Sequence, residues 1–360
     1  MIPITKPFMP PVKEYQELLE GIWQRNWLTN NGPLVNDLEL RLKQYLGLDH
    51  LLLVSNGTIA MQFALKALNI KKDVITTPFS YVATTSSIVW EGCTPVYVDI
   101  DPDTLNIDPS KIEKAITVRT QAILATHCFG NPCDVEAISA IARKHKLKVI
   151  YDAAHCFGTM YHGKTIFSWG DISTTSFHAT KLYHTVEGGA VFTQNPKLLK
   201  DIAYLRNFGH AGPEKFHGIG INGKNSELHA AMGICNLNHI DAILAARKRQ
   251  AATYDRLLSK AEIATPTTIP GAESNHAYYP VVFKTHEIMQ KVKSALEKQE
   301  IFPRRYFYPS LSSLKYVTSD PTPVADDIAN RILCLPMYFE LSEVEQKMVT
   351  RNILRTLRHG

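Results

Sequence analysis

Lys181 stands in the segment Ser176-Phe-His-Ala-Thr-Lys181, which leaves one β-rich run and, through Glu187-Gly-Gly189, leads into the next. A lysine between two buried strands is poorly placed for a solvated charge. In a desolvated site its pKa falls and its neutral amine can attack carbonyls, which makes Lys181 a Schiff-base candidate; on that motif alone an exposed loop lysine fits as well. Asp152 ends the apolar run Val149-Ile-Tyr-Asp152, at the strand terminus where parallel α/β sheets place ligands; read singly, it could equally cap a helix. Ser55-Asn-Gly-Thr58 joins a β-like run to a helix, and small residues there expose N–H groups and the positive dipole end to a phosphate, as an ordinary turn and cap also would. Tyr81, in Pro78-Phe-Ser-Tyr-Val-Ala-Thr84, could lie over a flat cofactor or pack in the core. A phosphate cradle, an aromatic plane, a carboxylate, a hydroxyl and a lysine, each at a strand end, are together the set that pyridoxal phosphate requires.

The elements that must position these residues are legible in the hydrophobic pattern. From residue 50 to about 195, short β-rich runs alternate with amphipathic helical stretches, which predicts an α/β fold with a mostly parallel seven-stranded sheet. Its strands are expected at Leu51–Val54, Val74–Thr77, Pro95–Ile100, Ala122–Thr126, Lys148–Tyr151, Ile172–Phe177 and Gly189–Thr193. Helices are expected at Thr58–Leu68 and, behind a cap at Asp134, at Val135–Lys146. A long helical pattern, with room for a break, runs from Asn225 to about Leu258. Beyond the loop Thr265–Pro270 come a strand at Ala277–Phe283, a helix at Ile288–Gln299 and a last helix after Leu341. Two domains follow: residues 1–245, holding the cofactor site, and a smaller α+β domain, 246–360.

The 360 residues suffice for a large core, and the formal charge of +5 is spread along the chain without the basic block of a nucleic-acid tail. Six cysteines without a CxxC pair or zinc-type spacing, no signal-peptide pattern and no apolar run long enough to span a bilayer predict a cytoplasmic protein with reduced thiols, no metal and no membrane partner. Gly218-Ile-Gly-Ile-Asn-Gly223 formally matches GxGxxG, yet Lys215–His217 is no convincing strand and Asp241 lies in a helical run, so a dinucleotide site is not expected. His127, Cys128 and Cys156 show no third orienting partner and read as packing; Arg206 and Arg247 fit surface positions.

At this level of detail the chain resembles the sugar aminotransferases of the DegT/DnrJ/EryC1/StrS family, fold-type I pyridoxal phosphate enzymes, over nearly its whole length. The most specific matches are Tyr151-Asp-Ala-Ala-His-Cys-Phe-Gly158, the run from Ser176 through Lys181 to Gly189, and Gly220-Ile-Asn-Gly-Lys-Asn-Ser-Glu-Leu-His-Ala-Ala231, supported by Thr29–Pro33, Asn56–Ala60 and Leu335–Met337. The resemblance implies that Lys181 carries the Schiff base and then the proton, that Asp152 pairs with the pyridine nitrogen, that His155 contacts the ring hydroxyl and that Tyr81 stacks on the ring. It implies Gly57, Thr58 and Ser176 on the phosphate, and Asn222 reaching the phosphate of a neighbouring subunit, hence a homodimer with shared active sites. Relatives that dehydrate deoxysugars carry histidine at the lysine position, so Lys181 favours transamination. Many members read Arg-x-His-Tyr-x-Pro where this chain reads Arg304-Arg-Tyr-Phe-Tyr-Pro309, which bears on sugar recognition. The implied reaction moves an amino group from L-glutamate to a nucleotide-linked keto-6-deoxyhexose in surface-polysaccharide synthesis. Of the possible acceptors, dTDP-4-keto-6-deoxyglucose comes first and a 3-keto isomer is the alternative.

Overall fold

The computed structural model describes residues 1–359. Seven strands, Leu51–Val54 (β1), Asp73–Thr76 (β2), Thr94–Tyr97 (β3), Thr120–Thr126 (β4), Lys148–Asp152 (β5), Ile172–Ser176 (β6) and Gly189–Phe192 (β7), form one sheet in the order β1-β7-β6-β5-β4-β2-β3. β2 through β6 run parallel, while β7 is antiparallel to both of its neighbours. All seven strands lie where the hydrophobic runs predict them, within three residues at each end.

Alternation along these strands divides the core in two. Val149 and Tyr151 of β5 point to one face with Leu53, Ile75, Ile123 and Phe192; Ile150 points to the other with Val54, Val74, Leu124 and Val191. Helices Pro33–Leu46 and Val135–His145 pack against the first face, and Gly57–Ala67 and Pro196–Arg206 against the second. Asp134 caps its helix as expected, its carboxylate accepting the Ala137 N–H at 2.9 Å. The long pattern after Asn225 becomes two helices, Glu227–Asn238 and Ile240–Leu258, divided at His239.

The second helix carries Ile243 into the core of the large sheet and Ala251, Tyr254 and Leu258 into another core, so the chain passes residue 245 without leaving the helix. That second core lies beneath an antiparallel sheet of Ile263–Ala264, Tyr279–Phe283 and Ile332–Leu335, with helices His286–Glu297 and Glu343–His359. The amino-terminal residues join it: Ile2 donates to Glu300 O at 2.8 Å and accepts from Phe302 N at 2.9 Å. No helix among the described residues is long and apolar enough to cross a membrane.

Candidate active site

The parallel strands all end on one edge of the sheet, and a cavity of about 510 Å³ opens there, lined also by Arg304, Tyr306 and Phe307. Seven of the eight residues singled out from sequence line it: Gly57, Thr58, Tyr81, Asp152, His155, Ser176 and Lys181. Asn222 does not; it is exposed, in a segment pinned by a bridge to Asn207.

The phosphate cradle follows from local geometry. Asn56 caps helix Gly57–Ala67 by accepting the Ile59 N–H at 2.9 Å, and the first-turn N–H groups of Gly57 and Thr58, which lack intrahelical acceptors, border the cavity. A Cβ on residue 57 would stand 2.9 Å from Ser176 Cβ and 3.2 Å from Ser176 Cα, so only glycine lets the helix end meet β6 this closely.

Asp152 closes β5 opposite Thr126 of β4 and Thr174 of β6 and is 5% exposed. Its Oδ2 accepts from the Thr84 hydroxyl at 2.7 Å and its Oδ1 from Ala154 N–H at 3.2 Å. Burial raises its pKa, while those two hydrogen bonds and the charge of Lys181 oppose the rise. Lys181 sits on a tight excursion between β6 and β7, held by Phe177 N–H to Gly188 O and Ala179 N–H to Val186 O, both 2.7 Å. Burial lowers its pKa to about 8, against the pull of Asp152 and with the help of Arg304. The exposed-loop reading of this lysine therefore fails, because the excursion folds inward.

His155 is buried, its ring parallel to Phe307 with centroids 6.0 Å apart, and burial and Lys181 hold its pKa well below the usual range, so it is neutral. Its Nδ1 has no hydrogen-bond partner although it is enclosed. Tyr81, 58% exposed, stands at the mouth. A cradle that a Cβ would fill, an enclosed carboxylate, an amine with depressed pKa and an unpartnered imidazole nitrogen in one cavity fit pyridoxal phosphate.

Several residues were missed from sequence. Thr84, Ser80 and Thr126 form a hydroxyl chain behind Asp152; the four-residue spacing of Ser80 and Thr84 was the available signal. Among the described residues Arg304 forms no ion pair; it lies over the Tyr306 ring at 4.8 Å and, with Lys181, supplies the cavity's lysine and arginine lining. Two expectations are corrected. Arg206 is buried because it ties β1 to its covering helix, donating to Leu53 O at 2.7 Å and Glu39 at 2.8 Å. Arg247 is buried because its guanidinium ends on the Met337 carbonyl at 2.7 Å. His127 and the Cys128 thiol are packed as expected, the ring stacked on Tyr151 and the thiol donating to Phe79 O. Gly218–Gly223 is irregular and follows no strand.

Comparison with known proteins adds to this geometry. The model of the DegT/DnrJ/EryC1/StrS aminotransferase family matches residues 11–354. An enzyme of Shigella dysenteriae named dTDP-4-amino-4,6-dideoxy-D-glucose transaminase is 44% identical over 347 residues, covering 94% of both chains. An Escherichia coli enzyme of the same name is 41% identical over 367 residues, covering 98% of each. Among solved structures, DesI in the presence of its TDP-sugar product superposes with a TM-score of 0.94 at 31% identity, covering 99% of this chain and 93% of that one.

Proposed function

We propose an acceptor, a donor and a division of labour from one premise: this chain belongs to the DegT/DnrJ/EryC1/StrS aminotransferase family and is a pyridoxal-phosphate-dependent sugar aminotransferase. The acceptor is dTDP-4-keto-6-deoxy-D-glucose, the product dTDP-4-amino-4,6-dideoxy-D-glucose and the donor L-glutamate. The observation that carries the chemistry is the meeting of Lys181 and Asp152 in one enclosed cavity; the acceptor is taken from the two relatives above 40% identity.

When bound, pyridoxal phosphate supplies an aldehyde that takes up the amino group and a ring that withdraws charge from the substrate carbon. Around it, Gly57, Thr58 and Ser176 hold the phosphate, Asp152 keeps a proton on the ring nitrogen, His155 meets the ring hydroxyl and Tyr81 covers the ring. Lys181 Nζ, its pKa lowered by burial to about 8, takes the proton from the donor's α-carbon and later delivers one to the sugar carbon that gains nitrogen. Arg304 receives a carboxylate of the donor: it is a planar cation with no acidic partner among the described residues, and the acceptor's sugar ring, whose nucleotide carries the charge on its diphosphate, brings no carboxylate to it. The division after residue 245 places Lys181, Asp152 and the phosphate cradle in the larger part and Arg304, Tyr306 and Phe307 in the smaller.

A homodimer completes the reading. Phe208, Phe216, Ile219 and Ile221 are exposed around Asn222, an apolar patch suited to a second copy, and Asn222 then reaches the partner's phosphate. The test is incubation with pyridoxal phosphate, L-glutamate and dTDP-4-keto-6-deoxyglucose, locating the new nitrogen by NMR. An amine at C4 is expected. Conversion of the cofactor by glutamate without reaction of this sugar would overturn the acceptor, and no conversion would overturn the donor.

A further inference from the structure

Hydroxyls near the sheet edge are mostly spent on nearby carbonyls: Ser87 donates to Ala83 O at 2.8 Å, Thr174 to Tyr151 O at 3.1 Å and Thr175 to Ala153 O at 3.0 Å. Three are not. Thr84 Oγ1 lies 2.7 Å from Asp152 Oδ2, Ser80 Oγ 2.7 Å from Thr84 Oγ1, and Thr126 Oγ1 2.9 Å from Ser80 Oγ. They come from three elements, the turn after β2, helix Val82–Trp90 and the end of β4, and all are at most 5% exposed.

Each hydroxyl has one hydrogen, and an ionised carboxylate only accepts. Thr84 therefore gives its hydrogen to Asp152, which obliges Ser80 to donate to Thr84 and Thr126 to donate to Ser80. All three dipoles point at one carboxylate oxygen, and aligned donors strengthen one another. A proton on Oδ2 would invert the row and send the Thr126 hydrogen elsewhere.

We propose that Thr84, backed by Ser80 and Thr126, is a positioning residue: this one-way row of buried hydroxyls keeps Asp152 an ionised acceptor whose remaining lone pairs face the cofactor's ring nitrogen. The inference rests on the reading that Asp152 meets that nitrogen. The row also fixes the carboxylate's rotation by holding Oδ2 from behind, while Ala154 N–H holds Oδ1. The titratable groups around Asp152 cannot replace it. Lys181 supplies positive charge, but the thiols of Cys128 and Cys156 are buried and neutral, and burial also holds His127 and His155 neutral. Without Thr84, burial acts on Asp152 less opposed and the shared proton moves from ring nitrogen to carboxylate.

The experiment loads wild type, T84V, T84S and S80A with pyridoxal phosphate isotope-labelled at the ring nitrogen and reads that nitrogen by NMR together with cofactor dissociation. In T84V the resonance should move toward unprotonated pyridine and the cofactor's dissociation constant rise about tenfold, the scale of one hydrogen bond to a charged group. T84S should restore both, and S80A should shift both in the same direction by less. The Asp152 carboxyl resonance of cofactor-free protein should titrate at higher pH in T84V. Wild-type resonance and dissociation in folded T84V would overturn the proposal; should T84V not fold, wild-type values in S80A would do so. A wild-type nitrogen that is already unprotonated, beside an Asp152 titration that still responds to Thr84, would instead remove the pairing of Asp152 with the ring and leave the hydroxyl row standing.

Discussion

Lys181 concentrates the residue-scale chemistry in one pKa. Because its amine is neutral above about 8, reductive alkylation of cofactor-free protein by a small aldehyde should rise with pH and be half-maximal near 8 at this lysine, well before ordinary lysines near about 10.4 react. Folding stability carries the matching sign: between those two values the unfolded chain binds more protons at this position, so this lysine's contribution to stability grows as pH rises. Lys181→Ala should bind cofactor non-covalently and lose turnover by about a thousandfold or more, measured in single-turnover assays with glutamate. Arg304→Gln should raise the glutamate concentration needed for half-maximal cofactor conversion by at least about tenfold, and leave the reverse half-reaction with the amino sugar within a few-fold of wild type; equal losses in both would remove the donor assignment. The sequence displayed Asp152 because it ends an apolar run, and Gly57 and Lys181 because each lies in a short segment leaving a β-rich one. Arg304 was visible as a motif position, but its lack of an acidic partner depends on the second sheet folding back over the first, which no local pattern records.

Among the elements, strands were read better than helices because apolar runs bounded by turn residues announce a buried sheet. Helix Val82–Trp90 was not anticipated: Val-Ala-Thr-Thr-Ser-Ser-Ile-Val-Trp has modest helix propensity and no polar stripe, since it is packed on several sides. It is held by its surroundings, and its own Thr84 carries the hydroxyl that reaches Asp152. Pro33–Leu46 begins at a glycine with no side-chain cap of its own, which weakened its local signal. The cap comes from far along the chain: Glu227, fully buried, accepts the Leu34 and Val35 N–H groups, each at 2.9 Å. Glu227→Ala should cost about 2 kcal/mol of unfolding free energy in denaturant titration, the sum of a lost cap and two orphaned donors. A stability equal to wild type would show that water replaces the carboxylate there.

At the scale of the whole molecule, shared sites make a counting prediction. If Asn222 serves the partner's phosphate, mixing Lys181→Ala and Asn222→Ala chains through unfolding and reassociation should recover about a quarter of wild-type activity, since half of the dimers would be mixed and each would hold one intact site of two. No recovery above the separate variants would place Asn222 within its own subunit's chemistry or outside the site altogether. The pairing of Ile2 with residues 300–302 bears on how the protein is made. A ribosome delivers Ile2 some three hundred residues before its backbone partners. The segment around Ile2 must therefore wait, unpaired, while the large sheet forms, and the last layer is joined by early and late parts of the chain together. A bulky fusion at Met1 should accordingly slow the final maturation of nascent chains in pulse-chase proteolysis, whereas the same fusion on an internal exposed loop should not.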